Sequence, residues 1–165
     1  MKRHPEPAAT MFQAYIELTK PKITFMVLIS TALGYYIGGE GVVQAYPFIL
    51  TLLGTAIVSG GAGTLNHYTE RDLDILMERT RSRPIPAGII GANTALTFGL
   101  VQILFGLTIL LLAANLITAF LALLTAFLYI FVYTPLKRIT WLNTTIGAVP
   151  GALPPMGGWA AATGN

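Results

Sequence analysis

Cysteine is absent from this chain of 165 residues, which excludes disulfides, thiolate nucleophiles and Cys-ligated metals. Charge is nearly as scarce. Asp, Glu, Lys and Arg make up 10% of the residues, where a soluble domain carries about 25%. Hydrophobic residues reach 54% and the mean hydropathy is +0.66, so the composition belongs to the membrane class. The first apolar run begins only at Ile23 and no small-residue cleavage site follows it, so it reads as a true span rather than a signal peptide. The pI near 9.3 does not point to nucleic acid, because the basic residues all sit beside apolar runs.

Residues 23–39, 41–69, 84–136 and 139–165 carry no charge at all. A span needs roughly 20 apolar residues to cross about 30 Å of hydrocarbon. The first two runs hold one helix each, the third holds two joined near Ala114-Asn115, and the last is a fifth candidate. The expectation is a single all-α, polytopic membrane domain over residues 1–165, with spans at about 20–38, 46–68, 90–112, 116–134 and 142–162. All ten basic residues (Lys2, Arg3, Lys20, Lys22, Arg71, Arg79, Arg81, Arg83, Lys137 and Arg138) lie before span one or after spans two and four. Positive charge favours the cytoplasmic side, which puts the N-terminus inside and gathers the dense charge at that one face. The fifth run contains Pro150, Pro154, Pro155 and several glycines, so it is expected to face protein or a cavity. The chain stops there without a charged anchor, as expected of the N-terminal part of a longer protein.

The densest charge lies in "LNHYTERDLDILMERTRSRPIPAG", Leu65 to Gly88, where fourteen residues from Glu70 to Arg83 hold four acids and four arginines. If span two ends here as a helix, Asn66, Glu70 and Asp74 fall at i, i+4 and i+8. They share roughly an 80° arc, each about 6 Å beyond the last. One side-chain carbonyl and two carboxylates make a hard, oxygen-only set suited to Mg²⁺ shared with substrate phosphates. Asp72 points elsewhere and is placed to hold Arg71, Arg79 or Arg81. Arg79, Arg81 and Arg83 alternate before Pro84 and Pro86, which forbid a regular helix. Guanidinium forks bind phosphate oxygens in pairs, so acids and arginines together fit a diphosphate.

Plainer readings stand beside this one. A charged loop between spans can simply neutralise itself, and Lys137 and Arg138 can be anchors of span four. Lys20 and Lys22 read as anchors flanking Pro21. Tyr133, Trp141 and Trp159 read as interfacial or packing residues, and the small residues Ser59–Gly63 as helix-packing residues. Two other classes remain open: a transporter or cation channel using Asn66, Glu70 and Asp74 as its ion site, and an assembly subunit. Acids at the membrane face rather than mid-span argue against transport.

The pattern from Asn66 to Pro84, N-x-x-x-E-R-D-L-D-x-x-M-x-R-T-x-x-R-P, resembles the first aspartate-rich motif of the UbiA superfamily of intramembrane prenyltransferases. Within it, Met77, Arg79-Thr80 and Arg83-Pro84 look like the protohaem IX farnesyltransferase (haem O synthase) family. "LTKPKIT" (Leu18–Thr24), "YTPLKR" (Tyr133–Arg138) and "IGAVPGALPPMGGWAAATG" (Ile146–Gly164) are similar to other segments of that family. Glu70 stands where the superfamily usually has aspartate, and His67 where many relatives have aspartate directly after the asparagine. The resemblance implies a nine-helix bundle with a second acidic motif in its C-terminal half, so a five-span piece alone is expected to be inactive. It implies farnesyl diphosphate and haem B as substrates, haem O and diphosphate as products, and association with haem A synthase in a bacterial inner membrane. By carry-over Asn66, Glu70 and Asp74 would hold Mg²⁺, and Arg79, Arg83 and Lys137 would grip diphosphate, with Arg81 and Arg138 assisting. Asp74, Lys137 and Tyr133 would serve the chemistry, and the faces of Phe127, Tyr129 and Tyr133 would steady the carbocation. His67 reads as support for Asn66 rather than as a haem ligand. Another UbiA-type enzyme, with an aromatic acid, a chlorin or a quinone precursor as acceptor, is the nearest rival.

Overall fold

The computed structural model describes residues 10–42, 44–137 and 142–164, and every regular element among them is helical. These elements are α1 (Met11–Leu18), α2 (Pro21–Gly38), α3 (Ala45–Asp74), α4 (Ala92–Ala113), α5 (Leu116–Leu136) and α6 (Asn143–Thr163). Their ends follow local chemistry. Thr10 and Gln13 form a reciprocal capping box ahead of α1. Pro21, with its fixed φ, opens α2. Asn115 caps α5 by accepting from the Thr118 amide at 2.7 Å.

Helices α3, α4 and α5 are each long and apolar enough to cross a membrane. Helix α2 packs against α6 and α3, α3 against α4, and α5 against α6. Leu104, Phe105, Leu112, Phe120 and Phe131 turn outward from the bundle. That apolar exterior is what lipid rather than water would solvate, and the chain is a multi-pass membrane protein.

Small residues bring the helices together. A Cβ added at Gly61 would stand 2.8 Å from the Gly99 carbonyl, and one at Gly106 2.8 Å from the Gly54 carbonyl, so α3 and α4 touch backbone to backbone. Contact between α2 and α6 is closer still. A Cβ at Gly34 would fall 2.0 Å from the Pro155 oxygen, and one at Gly158 2.0 Å from the Thr31 oxygen.

Helix α6 runs unbroken through Pro150, Pro154 and Pro155. Each proline removes an N–H and frees the carbonyl four residues earlier. For Pro154 and Pro155 those carbonyls belong to Pro150 and Gly151, which border an internal cavity. Further along, Asn115 Nδ2 donates to the Ala160 carbonyl at 2.7 Å, tying α6 to the start of α5. One face of the helix therefore meets protein and a cavity, as such a sequence requires, while Val149, Met156 and Trp159 lie exposed on the other.

Candidate active site

At about 1.5 Å per residue, the thirty residues of α3 extend to about 45 Å, well past a hydrocarbon core of about 30 Å. Its last turns carry Asn66, Glu70 and Asp74, which are 0%, 6% and 1% exposed. Buried charge persists only when paired, and each of the three meets a cation from a different segment. Both carboxylate oxygens of Asp74 accept from Arg83 Nη1, at 2.9 and 2.7 Å. Glu70 is ion-paired with Lys137 at the end of α5. Asn66 is held from both sides: Oδ1 accepts from Lys20 Nζ, and Nδ2 donates to Thr134 Oγ1 at 2.8 Å. Glu70, Asp74, Arg83 and Lys137 all lie within electrostatic reach of the Lys20 ammonium.

The loop after α3 is built to return Arg83 to this cluster. Thr80 Oγ1 donates to the Asp74 carbonyl at 3.1 Å, and the Arg83 amide donates to the Thr80 carbonyl at 3.0 Å. Beyond it, the Ile89 and Ile90 amides donate to the Pro84 carbonyl, with Gly88 at φ 72 making the turn. Ile85 and Ile90 then bury against Ala14, Leu18 and Ala95. Charge fixes one end of the loop and apolar packing the other.

Helix α5 widens into a π-helical turn over Leu128–Tyr133. Within it the Tyr129 carbonyl accepts from both the backbone N–H and the hydroxyl of Thr134, five residues further on. Such turns occur often at functional sites. Here it stacks Tyr129 and Tyr133 with ring centroids 5.8 Å apart and planes 15° apart. Both rings border a cavity of about 510 Å³ that lies between α2, α3, α5 and α6. Lys20 and the two tyrosines stand at the end of the cavity nearest the acids, while Val27, Val58 and Leu153 make its walls apolar.

The structure thus gathers Asn66, Glu70, Asp74, Arg83, Lys137 and Tyr133 in one region. Arg79 and Arg81 are exposed, and neither makes an ion pair among the described residues. Arg138 and Trp141 lie outside the described residues. Asp72 points to solvent and pairs with Arg71, 3.5 Å away, whose guanidinium lies 4.3 Å over the Tyr68 ring. His67 is buried, its Nδ1 has no hydrogen-bond partner among the described residues, and it is not part of the cavity wall.

Two expectations need correction. Lys20 is not a membrane anchor: its side chain runs inward to Asn66 and to Tyr129 Oη, 3.3 Å away. Nothing distinguishes it in sequence from exposed Lys22 except its place at the break between two helices. Phe127 does not face the cavity. It is half-exposed on the outer face and packs on Phe131, because residues two apart on a helix point to nearly opposite sides.

Residues 27–165 match the UbiA prenyltransferase family. The chain belongs to that family. It is 42% identical over 160 residues to a protoheme IX farnesyltransferase of Solibacter usitatus, covering 92% of this chain and 55% of that protein. It is 47% identical over 155 residues to the protein of the same name in Salinibacter ruber, covering 94% of this chain and 55% of the relative. The chain therefore spans about half the length of the curated relatives it matches. Its UbiA fold is also that of two solved structures. One is a UbiA homologue from Archaeoglobus fulgidus bound to GPP and Mg²⁺ (TM-score 0.77, 20% identity, 90% of this chain and 54% of that one). The other is a digeranylgeranylglyceryl phosphate synthase (TM-score 0.69, 21% identity, 88% and 54%).

Proposed function

We propose that the protein carrying this chain is a Mg²⁺-dependent protohaem IX farnesyltransferase. It would move the farnesyl group of farnesyl diphosphate onto a vinyl group of haem B to give haem O. The observation that carries this reading is the cluster of three buried oxygen donors and three cations beside the Lys20 end of an apolar cavity. The identities of 42% and 47% to farnesyltransferases of that name favour haem over other acceptors.

The residues present fit a magnesium ion. Asn66, Glu70 and Asp74 offer only oxygen, all three are buried, and two bring negative charge. Mg²⁺ bound there would neutralise part of the charge that develops on the departing diphosphate. Arg83 and Lys137, already beside Asp74 and Glu70, would bind its phosphate oxygens. Arg79, Arg81 and Arg138 belong to the same proposal as outer cations. The allylic C–O bond breaks with its electron pair leaving on the diphosphate. The tyrosine faces bordering the cavity would steady the farnesyl cation, and the apolar walls would keep water from it. Electrons of the haem vinyl group form the new C–C bond. Water then adds to the resulting cation and loses a proton.

The protein would sit in a bacterial inner membrane with its N-terminus in the cytoplasm, handing haem O to haem A synthase. The test is to supply the whole protein in detergent with farnesyl diphosphate, haem B and Mg²⁺. Haem O by mass and one diphosphate per turnover are expected, with both lost when EDTA is added. Prenylation of a different acceptor with haem untouched would overturn the substrate assignment.

A further inference from the structure

Lys20 is one of two non-glycine residues with positive φ among the described residues, at φ 49 and ψ 62. A left-handed conformation is costly for a side chain bearing a Cβ, and it persists only where the surroundings enforce it. The surroundings do so here. The corner between α1 and α2 is pressed onto Gly60 and Gly63 of α3, and a Cβ at Gly63 would come within 3.2 Å of the Leu18 and Thr19 carbonyls and 3.3 Å of Lys20 Cγ. The corner sends the ammonium into the cluster, where it donates to Asn66 Oδ1 and to Tyr129 Oη and lies 5.9 Å from the Tyr129 ring centroid. Asn66 Oδ1 is the atom through which that residue would ligate a metal. An ammonium and a divalent cation cannot both sit against one buried oxygen, because they repel strongly at that range.

We propose that Lys20 is a positioning residue that keeps the metal's place on Asn66 while the site is empty and releases it only to a diphosphate. This rests on the prenyltransferase reading above. With Thr134 on the amide nitrogen and Lys20 on the oxygen, Asn66 stays oriented without a ligand. A divalent cation arriving alone must displace the ammonium into a site already crowded by Arg83 and Lys137. A diphosphate gives the ammonium oxygens to turn to, and Asn66 Oδ1 becomes free for the metal. Metal and diphosphate are therefore taken up together, each strengthening the other by the same factor.

The experiment uses the whole protein in detergent. The probe is Mn²⁺, followed by loss of the free-ion EPR signal, with and without a farnesyl diphosphate analogue whose scissile oxygen is sulfur. Wild type should bind Mn²⁺ weakly alone and tightly with the analogue. Lys20→Gly suits the left-handed backbone and so keeps the corner folded. It should bind Mn²⁺ alone about tenfold more tightly than wild type and the analogue about tenfold more weakly. The gain in Mn²⁺ affinity should vanish when Asn66→Ala is added. Lys20→Arg should stay weak for Mn²⁺ alone, which decides the matter if Lys20→Gly does not fold, and Lys22→Met should match wild type throughout. Unchanged or weaker Mn²⁺ binding by Lys20→Gly, or tight binding by Lys20→Arg, overturns the placeholder role alone. No Mn²⁺ binding by wild type even with the analogue overturns the metal reading, and the placeholder with it.

Discussion

Asp74→Asn in the whole protein should lower farnesyl transfer by at least about a thousandfold. The side chains have the same shape, so the loss would come from charge. Asp74 is 1% exposed and brings one of the two formal negative charges to the proposed metal set. The same change leaves the half-buried Arg83 without a charged partner, so thermal stability in detergent should fall as well. Combining Asp74→Asn with Arg83→Gln separates the two effects. Stability should largely return, because neither partner then carries charge, while turnover stays lost. Wild-type turnover in Asp74→Asn would remove Asp74 from the metal set.

Gly158→Ala should be as damaging a packing change as Gly34→Ala, lowering stability by roughly 3 kcal/mol or more. The added methyl would lie 2.0 Å from the Thr31 carbonyl and 2.8 Å from the Tyr35 amide nitrogen. Both are backbone atoms of α2, so no rotamer change can make room and the two helices must part. Thr31 and Gly157 border the cavity, and its far end would deform with them. Gly151→Ala on the same helix meets nothing within 4 Å and should be neutral or slightly stabilising. Thermal unfolding in detergent compares the two directly, and similar melting temperatures would mean that α2 and α6 are less closely packed than described.

The all-helical membrane class was legible because charge cannot be spread through hydrocarbon. Four charge-free runs and the clusters between them leave little choice of architecture. The column of Asn66, Glu70 and Asp74 was legible because helical spacing puts them on one face. What escaped the sequence depends on the chain meeting itself. Arg79, Arg81 and Arg83 look equivalent in an alternating run, yet only the turn through Thr80 folds one of them back to Asp74. Lys20 and Lys22 flank the same proline, and only the pressed corner between α1 and α2 turns the first inward. Phe127 looked like a partner of Tyr129 because both are aromatic, and two residues of helix set them on opposite sides.

In an unbroken α-helix, residues spaced by four drift about 40° at each step, so Tyr129, Tyr133 and Lys137 would spiral by about 80° over two steps. The wide turn over Leu128–Tyr133 winds more slowly and takes back part of that drift. One slack coil thus turns two stacked rings toward one chamber and leaves the terminal cation beside Glu70. Losing a single residue from it would swing Lys137 about a quarter-turn away, out of reach of Glu70, with every charged side chain of the cluster still present.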